Sequence, residues 1–99
     1  MKKALILDEK DNVANALIDL DKNIQVDLII RDLKIKIKIN ENIPMGHKFL
    51  IKKDIRKGEY IIKYGEIIGR ATKFIKVGSH VHIHNVESFR GRGDLKNKI

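Results

Sequence analysis

Ninety-nine residues, 42% of them hydrophobic, suit one small domain with a single modest core and exclude a disordered polymer. The absence of cysteine excludes disulfides and thiolate metal sites, and no apolar run approaches the roughly 20 residues that span a bilayer. A net charge of +8, from 21 Lys+Arg against 13 Asp+Glu, suits an anionic substrate or an acidic partner. Nucleic acid is not expected, because the lysines are scattered among aliphatics with no aromatic platform for stacking bases.

In chain order, "KKALILD" predicts a first strand and "VANALIDL" a second, separated by the polar turn "EKDN". The N-terminus begins like a signal peptide, but its apolar stretch stops at Asp8, so the chain is expected to be cytoplasmic. "LKIKIKIN" alternates strictly, with Leu33, Ile35, Ile37 and Ile39 on one face and Lys34, Lys36 and Lys38 on the other. Such a strand is half-buried, and its solvated lysines discourage edge-to-edge pairing. "NENIPMGHK" reads as a loop, by its Asn, Pro and Gly. "YIIKYGEIIGRATKFI" predicts two strands broken near Gly65, with a bulge at Gly69. A helix of one or two turns is expected near "KKDIRKG".

Three segments echo one another: "DLDKNIQV", "DIRKGEYI" and "FIKVGSHV". Each has an apolar residue, two spacers, Gly or Asn, two spacers and an aliphatic. Gly or Asn at that position suggests a positive φ in a tight turn that delivers the chain into a strand. Asp54 and Glu59 read as turn-capping residues. These features imply a compact all-β fold with one or two short helical turns. Residues 1–88 form the expected domain, and 89–99, "FRGRGDLKNKI", a flexible tail.

Three of the four histidines lie in "GSHVHIHN". On a strand, His80, His82 and His84 share one face, with Val81 and Ile83 on the other. Same-face neighbours stand roughly 6.5 to 7 Å apart at Cα, so imidazoles can converge on one ion, and neutral imidazole suits Fe, Zn, Cu or Ni. Such a site normally takes a third or fourth ligand from elsewhere; a strand that merely exposes polar residues has the same spacing. The fourth histidine, His47, lies in "IPMGHKFL", where Gly46 lets the backbone turn and Lys48 offers a cation to an anion.

Taken together, the IPMGHK loop, the stretch DIRKGEYIIKYGEIIGRA and the ending GSHVHIHN resemble the N-terminal domain of the altronate and galactarate dehydratase family. The resemblance is strong over residues 43–88 and loose before them, and departs from the usual Ala-Leu after GHK with Phe49 and Leu50. It implies a SAF-type β-clip fold and a role in metal-dependent dehydration of sugar acids. Because the chain ends soon after this segment, a stand-alone small subunit is expected, inactive alone and completed by a large catalytic subunit. The substrate implied is an anionic sugar acid. His47, Lys48 and His82 are the expected catalytic residues, His84 and Asn85 the substrate-binding ones, and Asn85 would position a neighbour or a substrate hydroxyl. His80 and His82 are the expected ligands of a divalent metal, Fe2+ or Mn2+, in the complex. Two alternatives stand beside this one: a non-catalytic β-clip module that binds a sugar acid or a protein, and the small subunit of a sulfolactate-type carbon–sulfur lyase.

Overall fold

The computed structural model describes residues 2–89, which form nine short strands. These are β1 (Ala4–Leu5), β2 (Val13–Ala16), β3 (Gln25–Ile30), β4 (Leu33–Lys38), β5 (Lys48–Leu50), β6 (Tyr60–Lys63), β7 (Glu66–Ala71), β8 (His80–Val81) and β9 (Val86–Ser88). They make three antiparallel sheets: β1-β2-β5-β8, the hairpin β3-β4, and β6-β7-β9. The all-β architecture implied by the resemblance is present, but the helical turns are not: no described residue is helical. Around "KKDIRKG" the chain bends instead. Lys52 takes a φ of 74° and Gly58 one of 95°, and Ile55 between them pairs antiparallel with Ile75, so no helical turn forms.

Alternation decides which side chains reach the interior. Val26 and Leu28 on β3 are buried while Gln25 and Asp27 face out, and on β4 the three lysines are exposed opposite Ile37. Burial fades toward the hairpin tip, where Leu33 is exposed, so the expected apolar face is a core face only near its base. The sheet β1-β2-β5-β8 divides two cores. Ala14, Ala16, Phe49 and Ile51 pack with Leu20, Ile39 and Ile43 on one side; Val13, Leu50 and Val81 pack with Ile55, Ile61 and Ile75 on the other.

The internal echo has a structural basis, and a fourth copy completes it. Asn23, Gly46, Gly58 and Gly78 all have positive φ, between 78° and 95°. In each turn the next residue's N–H bonds the carbonyl three back: Ile24 to Asp21, His47 to Pro44, Glu59 to Arg56 and Ser79 to Lys76. The copies pair antiparallel as Leu20 with Ile43 and Ile55 with Ile75. "IPMGHKF" is the copy not visible as such in the sequence, and it is the one that carries His47. Side chains stitch the pairs together: Asp19 accepts from Met45 N–H, Asn42 from Lys22 N–H and Asp54 from Val77 N–H. Asp54 thus caps a turn, and Glu59 does so through Arg56 N–H.

The break at Gly65 and the irregularity near Gly69 are both present: β6 and β7 shift register where Ile61 faces Gly69 and Ile62 faces Ile67. Buried Asp11 holds the turn between these strands, accepting from Tyr64 N–H at 3.1 Å and Gly65 N–H at 2.8 Å. Asp11→Ala leaves both donors without their acceptor and is expected to cost about 1.5–3 kcal/mol in urea denaturation. A loss below about 0.5 kcal/mol, the range of ordinary surface changes, would contradict this role. Phe89, the first residue of the expected tail, is buried, and its N–H donates to Ile68 O at 2.8 Å. Residues 90–99 lie outside the described residues.

Candidate metal and substrate site

Two turns of the repeat bring the histidines together. Gly46 N–H bonds Ala16 O, and Ala16 N–H bonds His47 O, so the IPMGHK turn is anchored to β2. Across β5, Lys48 faces Val81 and Phe49 faces His80. Strand alternation therefore sends His47, His80 and His82 to the Phe49 side and Lys48 to the other. Glu41, 39 residues away in sequence, accepts His80 N–H at 3.0 Å. Nothing in the sequence marks that contact, because it depends on the loop of the second repeat reaching the fourth.

The expected strand of alternating histidines is corrected in one respect. β8 ends at Val81, and a turn follows, closed by Asn85 N–H on His82 O at 3.1 Å. Val81 is buried as expected, but Ile83 is 85% exposed, because the turn carries it away from the second core. The imidazoles gather nonetheless. His80 and His82 stack with ring centroids 5.2 Å apart, His47 lies 4.7 Å from His82, and exposed His84 lies 5.3 Å from His80. Asn85 is buried and braces this turn: its Oδ1 accepts His82 N–H at 2.9 Å and its Nδ2 donates to His80 O at 2.7 Å.

His47, His80 and His82 each offer a ring nitrogen, all within 4.8 Å of one another. Nδ1 of His47 and Nε2 of His80 are 2.8 Å apart, a hydrogen bond in which one ring donates and the other accepts. The donor set suits a borderline divalent ion, since all three ligands are neutral imidazoles when deprotonated. Burial, then the charges of His47, His82 and His84, pushes His80 below the ordinary histidine range. Burial, then His47, Lys48 and His84, does the same for His82. Both rings thus favour the neutral form that a metal requires. Lys48 is half-buried, and burial followed by the charge of Lys63 holds its amine below the usual lysine range.

A depressed histidine pKa has a consequence for stability. Below the ordinary value the unfolded chain binds the proton more readily than the native one, so stability rises with pH there and is lost as pH falls through the folded pKa. In metal-free buffer, the melting temperature is expected to fall on acidification from pH 7.5 to 5, and to fall less in His80→Gln. Equal pH dependence of the two proteins would contradict the burial of neutral His80.

Comparison with known proteins places these features in a family. Residues 2–89 match the model described as the altronate/galactarate dehydratase SAF domain. The altronate dehydratase of Bacillus subtilis is 32% identical over 88 residues, covering 89% of this chain and 17% of that enzyme. The altronate dehydratase of Escherichia coli is 40% identical over 78 residues, covering 79% and 15%. The (2R)-sulfolactate sulfo-lyase subunit alpha of Chromohalobacter salexigens is 40% identical over 60 residues, covering 61% and 63%. The chain thus spans less than a fifth of these dehydratases and under two thirds of that subunit.

Proposed function

This chain belongs to the altronate/galactarate dehydratase SAF domain family, and we propose that it supplies His47, Lys48 and His82 to an active site completed by a larger catalytic partner. The reaction is loss of water from an anionic sugar acid: a proton leaves the carbon beside the carboxylate and the β-hydroxyl departs as water. One observation carries this reading. His47, from one repeat, meets His80 and His82, from another, at the end of a sheet and partly open to solvent. Such a cluster has the donors for the chemistry and lacks a wall to exclude water, which the partner would provide.

His47, His80 and His82 would hold a divalent ion, Fe2+ or Mn2+, which when bound would supply positive charge to the hydroxyl that departs. His84, exposed at the edge of the cluster, would face the substrate, and Asn85 would act as a positioning residue through the backbone of His80 and His82. Departure of the hydroxyl needs a proton donor, and the role we assign to His82, which reaches from the His47 side to the Lys48 side of the sheet, is to donate from the ring nitrogen it does not offer to the ion.

A second reading has its own support. The (2R)-sulfolactate sulfo-lyase subunit alpha of Chromohalobacter salexigens is also 40% identical to the chain, over 60 residues, which supports a lyase that expels sulfite in place of water. The test is to co-purify the chain with a candidate large partner, add ferrous iron anaerobically, and assay keto-acid formation from altronate and galactarate and sulfite release from sulfolactate. Turnover of a sugar acid supports the dehydratase reading and sulfite release the second. A complex that turns over neither leaves a non-catalytic binding module, and overturns both.

A further inference from the structure

The face of the sheet opposite the imidazole cluster carries a second feature. A cleft of about 160 Å³ is lined by Lys48, His82 and Ser88 over an apolar floor of Ile68, Val81 and Val86. A neighbouring cleft of about 400 Å³, which contains Lys63, adjoins it at Ile68 and Ser88. Among the described residues neither Lys48 nor Lys63 has a carboxylate within ion-pair distance. Glu66, which lines the Lys63 end, makes no ion pair with it, and Arg70 is spent on Glu87 at 2.6 Å.

Lys63 lies over the face of Tyr64 at 5.1 Å, whereas Lys48 is half-buried, and a half-buried charge destabilises the fold unless an anion offsets it. Natural surfaces readily turn such a lysine outward; here Lys48 stands opposite Val81 of the second core on the neighbouring strand and lines the cleft beside it. We propose that this groove is an oxyanion subsite, in which Lys48 binds the carboxylate of a 2-hydroxy acid and Lys63 contributes charge from the adjoining cleft. Its position sets the acid end of the ligand beside His82, the one imidazole that lines both the cluster and the groove. The identity of the anion rests on the sugar-acid reading above; the groove and its charge do not.

The test is a titration of the full chain, labelled with 15N, by D-glycerate, the smallest 2-hydroxy acid that carries a further hydroxyl, and by glycerol as its uncharged counterpart. Glycerate is expected to shift the amides of Lys48, His82 and Ile68, and glycerol to leave them in place. Lys48→Met should weaken glycerate binding about tenfold or more, the value of one charged hydrogen bond. Lys63→Met, which removes charge at a distance, should weaken it a few-fold, and Lys48→Arg should retain binding. Shifts spread over Lys34, Lys36 and Lys38, equal effects of glycerol, or an unaltered affinity in Lys48→Met would overturn the subsite. Failure here with turnover still lost in His47→Ala sinks only the subsite. Localised glycerate binding in a chain whose histidines prove irrelevant to turnover sinks only the proposed function.

Discussion

In complex with its catalytic partner, His47→Ala is expected to lower turnover by about 10²–10⁴-fold, the range for losing a positioned acid, base or ligand group. His47 is partly exposed, and its side chain meets Nε2 of His80 through Nδ1 and stands beside the ring of His82. The turn that carries it is held by backbone bonds from Gly46, Met45 and Ala16, which the substitution leaves in place. The melting temperature should therefore move by no more than a few degrees while the rate collapses. Measured kcat and KM separate the two possibilities: a fall in kcat places His47 in the chemistry, and a rise in KM alone places it in uniform substrate binding. Unchanged kcat/KM would remove His47 from the site.

The second large effect is on stability. Gly46→Ala and Gly58→Ala put a side chain at positive φ in open space, since nothing lies within 4 Å of the added Cβ. Each is expected to cost about 1–3 kcal/mol of backbone strain. Gly78→Ala carries the same strain and more, because its Cβ would stand 2.2 Å from the carbonyl oxygen of Lys38 and 3.1 Å from Asn40 N. A backbone atom cannot swing aside as a side chain does, so overpacking adds a further ~1–3 kcal/mol. Gly78 is also the joint between the halves of the fold: its N–H donates to Leu50 O at 2.8 Å and its carbonyl accepts Asn40 N–H at 2.9 Å. Denaturant unfolding of the three variants should rank Gly78→Ala clearly last. Equal stabilities would contradict the close approach of the end of β4 to the turn at Gly78.

Much of this fold was legible because strands announce themselves by a period of two. "LKIKIKIN" shows β4 directly, and Gly65 shows the turn between β6 and β7. Three of the four repeat turns were visible through their Gly or Asn. The fourth escaped because Pro44 and Met45 look like loop residues, although a turn beginning with Pro and holding Gly two residues on suits the same geometry. The helix expected near "KKDIRKG" failed for a related reason. Lysines and an aspartate are as compatible with a solvated bend as with a helix, and only the backbone, with Lys52 at positive φ, tells them apart.

The site was legible in part. The H-x-H spacing brought out His80 and His82, and they do meet, but through a stacked pair at the end of a strand followed by a turn. A periodicity that continued to Ile83 would have buried that side chain, and it is among the most exposed in the described chain. Convergence of His47 on the pair is a property of sheet register, Phe49 against His80, which local pattern does not contain. Lys48 was grouped with His47 by adjacency, whereas alternation puts the two on opposite faces, with only His82 reaching both sides. Glu41 and Lys63 gave no local signal at all, because each acts on the site from a distant segment.

The central claim is that His47, His80 and His82 work as one three-nitrogen centre. Titration of the full chain with Co2+ under visible absorption tests it without requiring turnover or a partner. The account predicts a single binding event of one ion per chain, lost or sharply weakened in each of His47→Ala, His80→Ala and His82→Ala and retained in His84→Ala. Binding that survives His47→Ala unchanged, or depends on His84 instead, would contradict it.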